Sequence, residues 1–262
     1  MARIERKFVE LKKYKKKAFI AFITAGYPSL SATEKLVVEF DRIGVDIVEL
    51  GVPFSDPMAD GPMIQEASKA ALDKKVNLPD ILRLVKKIRG QASIPLCLMT
   101  YYNPVFCYGQ EKFAKDAVAA GVDGVIIPDL PPDEAGDFIK QAKASGLDTI
   151  FLAAPTSTPE RIKLIAKASR GFIYYVSLTG VTGARKQLPQ DISRQIKIIK
   201  KFTAKPVCVG FGVSSRSQVQ GISKISDGAI VGSAIVKKIK ENLSRPDMVK
   251  RVSSFVSSLK GR

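Results

Sequence analysis

A helical stretch, a small turn holding glycine or aspartate, then a short unbroken apolar run: this succession repeats along the chain and leaves few folds open. It occurs at Ile43-Gly44-Val45-Asp46 before Ile47-Val48-Glu49-Leu50, and at Gly121-Val122-Asp123-Gly124 before Val125-Ile126-Ile127. It returns at Gly146-Leu147-Asp148 before Ile150-Phe151-Leu152 and at Ser226-Asp227-Gly228 before Ala229-Ile230-Val231. Strands that are apolar throughout, rather than alternating, are covered on both faces, which points to a parallel sheet under helices. Eight strands are predicted, near Phe19–Thr24, Asp46–Gly51, Pro95–Thr100, Gly124–Pro128, Thr149–Ala153, Phe172–Ser177, Pro206–Gly210 and Gly228–Gly232.

Helical spacing fills the intervals. Leu36, Val37, Phe40 and Ile43 form one stripe over Ala32–Ile43, the period-3.6 pattern of an amphipathic helix. Helices are also predicted over Ile81–Arg89, Lys112–Ala120, Asp133–Ser145, Pro159–Ala168, Asp191–Phe202, Ser215–Ile222 and Met248–Leu259, with a short one at Ile235–Ile239. At Thr158-Pro159 a capping residue precedes a proline in the first helical position, a helix-start signal. Eight β/α units in 262 residues, with no linker between them, predict a single (β/α)8 TIM-barrel domain spanning residues 1–262. An extra helix over Ile4–Leu11 is expected to plug its bottom. An open doubly wound sheet is the other arrangement of such units, but no glycine fingerprint follows the first strand.

Composition narrows the chemistry. The chain has no histidine, which removes a Ser-His-Asp triad, a histidine base and nearly every common zinc site. Proton transfer therefore falls to carboxylates, tyrosine, lysine or water. Cys97, Cys107 and Cys208 fit no metal-ligand spacing and are expected as reduced thiols, Cys97 and Cys208 within strands. No run of about 18 apolar residues is present and no signal peptide is recognisable, so the cytosol is the expected compartment. The net charge is +17. Its densest run is Lys12–Lys17 and the remainder falls in pairs such as Lys86-Lys87 and Lys200-Lys201, on outer helix faces. That is a solvated basic surface, with nucleic-acid binding as the competing interpretation.

In such barrels the reactive residues gather at the C-terminal ends of the strands. The second strand carries Glu49 between Val48 and Leu50. A carboxylate in an apolar strand either meets water or a lysine at a rim, or is buried with a raised pKa suited to proton transfer. The loop that follows holds three prolines and two aspartates; such stiffness can hold Asp60 over the barrel mouth, whereas Asp56 before Pro57 suits a turn. Three late glycine segments suit a phosphate: Gly180–Gly183, Gly210–Gly212 and Gly232-Ser233-Ala234, the last opening a short helix. Glycines let backbone N–H groups approach an anion, and a helix N-terminus favours negative charge.

The run from Glu49 to Gln65, ELGVPFSDPMADGPMIQ, resembles the signature of the tryptophan synthase alpha chain family. Segments in the same order agree: Phe22–Pro28, Met99–Pro104, Ile127–Glu134, Ala154–Ser157, Ser177–Gly183, Gly210–Ser214 and Val231–Ser233. The resemblance covers essentially the whole chain. It implies a lyase that splits indole-3-glycerol phosphate into indole and glyceraldehyde 3-phosphate, with Glu49 and Asp60 as catalytic acids. It implies a phosphate site at Gly183, Gly212, Gly232 and Ser233. It implies substrate contacts from Phe22, Leu98, Thr100, Tyr102, Leu152, Tyr174, Thr182 and Phe211, the loop from Thr182 to Leu188 closing over them. It also implies a beta-chain partner in an α2β2 heterotetramer that receives the indole. No Schiff-base lysine motif is evident, so pyridoxal phosphate is expected in that partner and no cofactor or metal in this chain. The alternatives are a catalytically weak regulatory subunit that activates the beta chain, and a lyase that releases free indole unaided. Indole-3-glycerol phosphate synthase and phosphoribosylanthranilate isomerase are related barrels, but the Glu49–Gln65 run resembles neither.

Overall fold

The computed structural model of the chain describes residues 1–176, 190–210 and 212–261. Nine parallel strands among them make one sheet: β1 (Ala18–Thr24), β2 (Ile47–Gly51), β3 (Leu96–Met99), β4 (Gly124–Ile126), β5 (Asp148–Ile150), β6 (Leu152–Ala153), β7 (Ile173–Val176), β8 (Val207–Gly210) and β9 (Gly228–Val231). The strand order is β5-β4-β3-β2-β1-β9-β8-β7-β6. Its two ends, β5 and β6, are separated only by Phe151, whose carbonyl accepts the Tyr174 N–H at 3.1 Å. They are two halves of one barrel strand, and the sheet closes on itself as the expected (β/α)8 barrel.

Alternation along each strand sorts the apolar residues into two cores. Inward-facing Ile20, Ile47, Ile126, Ile150, Phe172 and Ile230 fill the barrel, and the helix Arg3–Lys13 presses Ile4, Phe8 and Leu11 against its bottom. Phe8 meets Phe172 with ring centroids 5.9 Å apart. Outward-facing Val48, Leu50 and Leu98 pack under the helices, against the Leu36, Val37 and Phe40 stripe of Leu30–Arg42 and against Ile81 and Val85 of Leu78–Arg89. Burying each such side chain contributes about 1.5–3 kcal/mol.

The Gly/Asp turns do more than reverse the chain. Asp46, Asp123 and Asp227 each stand just before a strand and accept an N–H from the start of the neighbouring one: Phe19 at 2.8 Å, Leu96 at 2.8 Å and Val207 at 2.9 Å. Asp123 also pairs with Arg89 at 2.7 Å and Arg3 at 2.8 Å, and Asp227 with Lys200. This belt of carboxylates ties the N-terminal ends of the strands together, and all the strands then end at the opposite face, where the loops meet.

Some elements differ from expectation. The helix Pro62–Leu72 follows a loop that shows no amphipathic run, although Gly61 and Pro62 give it a helix start. A left-handed Gly109 at φ 89° divides the region after β3 into Tyr102–Tyr108 and Gln110–Ala120. The fourth crossover helix begins at Gly136 rather than Asp133, because Pro131 and Pro132 fall in a turn. No helix among the described residues is long and apolar enough to cross a membrane.

Asp123→Ala leaves the Arg89 guanidinium, 12% exposed in its side chain, without its carboxylate. The expected loss is about 3 kcal/mol, as for breaking a buried ion pair from one side. Urea unfolding at neutral pH checks it; an unchanged midpoint would show that the belt carries no stability.

Candidate active site

In β2, Val48 and Leu50 turn outward into the helix layer, so Ile47, Glu49 and Gly51 face the barrel interior. Glu49 is 0% exposed and neither carboxylate oxygen has a hydrogen-bond partner among the described residues. Burial alone lifts its pKa to about 8. Of the two possibilities left open by the sequence, a paired or wet rim residue and a buried acid, the structure has the second. A carboxyl that holds its proton at neutral pH is a proton donor in search of an acceptor.

The register sets its surroundings. Phe22 of β1 and Cys97 of β3 are its partners across the sheet. Burial first, then the charge of Glu49, and more weakly that of Asp60, push the Tyr174 hydroxyl well above the usual tyrosine range. One side chain of β7 therefore senses both carboxylates. The rings of Phe22 and Tyr174 fit because glycine ends β2 and β8 and directly follows β9. A Cβ on Gly51 would stand 2.5 Å from the Phe22 ring, one on Gly232 3.2 Å from it, and one on Gly210 2.3 Å from the Tyr174 hydroxyl.

Asp60 arrives from the loop after β2. Tyr101 fixes that loop: its hydroxyl accepts the Ala59 N–H at 3.0 Å and its ring stacks on Phe54 at 5.2 Å. Burial raises the Asp60 pKa, and the hydrogen bond from Tyr101 pulls it back. The Tyr101 hydroxyl is itself pushed up to about 12, mainly by burial and further by Asp60. Asp60 thus has the donor that Glu49 lacks. Phe22, Thr24, Gly51, Asp60, Met99 and Tyr101 line a cleft at the mouth, with Ile64 and Ser68 supplied by the helix Pro62–Leu72.

On the far side of the mouth, Gly232 caps and Ser233 opens the helix Ser233–Lys240 directly after β9. Gly212, after β8, has φ 68° and open space where a Cβ would be. These are a helix N-terminus and a left-handed glycine at neighbouring strand ends, the usual phosphate position in a barrel.

Not every residue expected at the site faces it. Leu98 points the wrong way: it is fully buried in the outer core, and the inward positions of β3 are Cys97 and Met99. Thr100 shares the parity of Leu98, is buried, and donates its hydroxyl to the Tyr101 carbonyl at 3.3 Å. Tyr102 starts the helix Tyr102–Tyr108, its hydroxyl accepting from Gln110 and its ring against Phe106, outside the cleft. Leu152 packs on the interior cluster as expected, and so does Tyr174. Thr182, Gly183 and Phe211 lie outside the described residues. Asp56 is exposed and accepts the Ser55 hydroxyl, as a turn residue does.

The raised pKa of Glu49 makes stability depend on pH. The carboxyl titrates near 4.5 in the unfolded chain and about 8 in the barrel, so folding takes up a proton in that interval. The contribution is complete below the lower value and is lost as pH rises through the upper one. Glu49→Gln removes the titration. Its unfolding free energy relative to the wild type should therefore rise between about pH 5 and about pH 9, by on the order of a few kcal/mol. Urea unfolding across that range measures it; a difference that does not vary with pH would contradict the buried acid.

Known proteins share this fold. The sequence profile of the tryptophan synthase alpha chain matches residues 8–261. The tryptophan synthase alpha chain of Geotalea daltonii is 50% identical over 260 residues, covering 99% of this chain and 98% of its own. That of Thermoanaerobacter pseudethanolicus is 47% identical over 260 residues, covering 99% of each chain. Among solved structures, tryptophan synthase subunit alpha from Legionella pneumophila superposes with a TM-score of 0.93 at 35% identity, over 99% of this chain and 97% of that one. A chain of the tryptophan synthase α2β2 complex from Pyrococcus furiosus does so with a TM-score of 0.88 at 39% identity, over 94% of this chain and 98% of that one. By profile, identity and fold alike, the chain belongs to the tryptophan synthase alpha chain family.

Proposed function

We propose that this barrel cleaves indole-3-glycerol phosphate to indole and glyceraldehyde 3-phosphate, with Glu49 as proton shuttle and Asp60 as electrostatic partner. The observation that carries the assignment is a wholly buried carboxylic acid without a partner among the described residues, on the strand that leads into the loop bearing a second carboxylate held by Tyr101. The reaction is a retro-aldol step. Glu49, protonated at neutral pH, gives its proton to carbon 3 of the indole ring, and positive charge develops toward the ring N–H. Asp60, as carboxylate, accepts a hydrogen bond from that N–H and stabilises the charge. The Glu49 carboxylate then takes the proton of the adjacent glycerol hydroxyl. The carbon–carbon bond breaks, its electron pair returns to the ring, and the hydroxyl becomes the aldehyde. The acid is regenerated, so the proton balance closes on this chain's own residues and asks for no cofactor or metal. Two carboxylates kept apart in environment suit these two roles. The helix N-terminus at Gly232-Ser233, with Gly212 beside it, suits the substrate phosphate.

A beta-chain partner is the second part of the proposal. It is supported by the Pyrococcus furiosus relative, described as mutually activated within an α2β2 complex. In this chain, Met58 is 81% exposed and Phe106 is 62% exposed, both in the segments after β2 and β3 that meet through the Ala59–Tyr101 hydrogen bond. Large apolar side chains on the rim of the mouth suit a protein partner that receives indole. Indole is small and apolar, and a covered mouth keeps it from escaping into water. Both carboxylates being in place weighs against a purely regulatory subunit.

Release of glyceraldehyde 3-phosphate by the purified chain, with and without a beta subunit, tests the assignment. Cleavage should rise with the partner, Glu49→Gln should abolish it, and Asp60→Asn should lower it about 100-fold or more, the usual scale for a positioned acid or base. Cleavage by Glu49→Gln at the wild-type rate would remove the shuttle. No cleavage by the wild type, with partner activation retained, would make the chain regulatory. For the interface, Phe106→Glu should weaken association with the beta subunit at least about tenfold, about 1.4 kcal/mol, while the chain alone cleaves at its own rate. Sedimentation of mixtures reads it, and unaltered association would place the partner elsewhere.

A further inference from the structure

Thr24 and Glu49 share an unusual property. Both bury polar atoms that have no hydrogen-bond partner among the described residues: both carboxylate oxygens of Glu49 and the hydroxyl of Thr24. They stand on adjacent strands. β1 and β2 pair Phe22 with Glu49 and Thr24 with Gly51. With side chains alternating, Thr24 is on the same inward face as Glu49 and one pleat nearer the mouth. It also lines the cleft together with Asp60 and Tyr101. The Thr24 hydroxyl therefore lies between the acid and the place where a substrate enters.

Among the described residues, the rest of the barrel offers an ionised Glu49 little else. Toward the bottom the interior is apolar, with Ile20, Ile47, Ile126, Ile150 and Phe172, and a carboxylate turned that way would have no donor. The titratable groups that feel its charge are Cys97 on β3, Tyr174 on β7 and Cys208 on β8, and the other carboxylate of the mouth is Asp60, from the loop after β2. The thiols are weak donors, Asp60 as carboxylate donates nothing, and the Tyr174 hydroxyl packs against Gly210 at the end of β8. A threonine hydroxyl is a full donor and loses no proton in the exchange.

We propose that Thr24 is a positioning residue for the cleavage reaction: once Glu49 has given its proton to the ring, the Thr24 hydroxyl donates a hydrogen bond to the carboxylate and holds it toward the mouth, where the glycerol hydroxyl waits. The proposal rests on the assignment of Glu49 as shuttle. A donor facing the charged form favours that form, so removing it makes Glu49 a weaker acid, which slows the transfer of its proton to the ring and leaves the resulting carboxylate unaimed at the glycerol hydroxyl.

The test compares Thr24→Val, which keeps the shape and loses the hydroxyl, with Thr24→Ser, which keeps the hydroxyl. Two quantities are read on the full chain. One is the infrared titration of the Glu49 carboxyl band, assigned by its absence in Glu49→Gln and recorded without turnover. The other is the pH profile of kcat and KM with the beta subunit present. In Thr24→Val the titration midpoint should move up by about one pH unit and kcat should fall about tenfold, with KM within about twofold. Thr24→Ser should restore both. A Thr24→Val enzyme with the wild-type midpoint and kcat overturns the proposal. So does a Thr24→Ser enzyme as impaired as Thr24→Val, because the methyl group and not the hydroxyl would then matter. A midpoint that moves in a chain that does not cleave would support the hydrogen bond and remove the shuttle assignment, so the two failures are distinguishable.

Discussion

Taking a carboxylate out of water with nothing to bind it costs several kcal/mol if the charge is kept, and the upper half of this barrel is organised around that cost. Glu49 escapes it by staying protonated. Everything that keeps water away serves the same end: the isoleucines beneath, the Phe22 and Tyr174 rings beside it, and the glycines that give those rings their space. A single methyl group at Gly51 or Gly210 would collide with one of the rings. The small residues at the strand ends are thus part of the acid's environment, although they touch no proton.

The two ends of the barrel use the same functional group in opposite ways. At the bottom, Asp46, Asp123 and Asp227 meet backbone N–H groups, and the latter two meet cations as well. Satisfied carboxylates of this kind tie strand to strand and contribute stability. At the top, Glu49 has no partner among the described residues and Asp60 has a tyrosine. The lower belt ties the scaffold together, and the carboxyl groups free to react stand at the face where the loops can bring a substrate to them.

Much of this was legible in the chain itself. Eight unbroken apolar runs between amphipathic helices announced the barrel, and Glu49 stood out because a carboxylate had no other reason to be in such a run. The inward and outward faces were harder to tell apart, for a physical reason: a strand covered on both sides is apolar at every position, so alternation leaves no mark. Leu98 and Met99 are equally apolar, yet only Met99 lines the mouth, and of the two adjacent tyrosines it is Tyr101 rather than Tyr102 that does so. Counting by two from Glu49 and from Phe22 would have found both Gly51 and Thr24. The helix Pro62–Leu72 leaves little mark in the sequence because only three of its residues are buried and the stripe they form is short. The split at Phe151 has no local signal, since it arises from how the last pair of strands meets.

The first strand of the barrel is hydrogen-bonded to the last: Ala18 to Ala21 of β1 run beside Gly228 to Val231 of β9. The end of the chain repeats the motif, because Lys260 donates to the carbonyls of Ile43 and Gly44, joining the final helix to the first crossover. For a polypeptide emerging from a ribosome this is a demanding order of events. One edge of β1 stays without its partner until some two hundred further residues have been made, and contacts of such long range form slowly. Through that time an apolar strand edge is open to pairing with other chains. The basic helix ahead of it, with Lys12, Lys13, Lys15, Lys16 and Lys17 at its end, places a dense block of like charge beside that edge, and two nascent copies would repel one another where they are most able to stick.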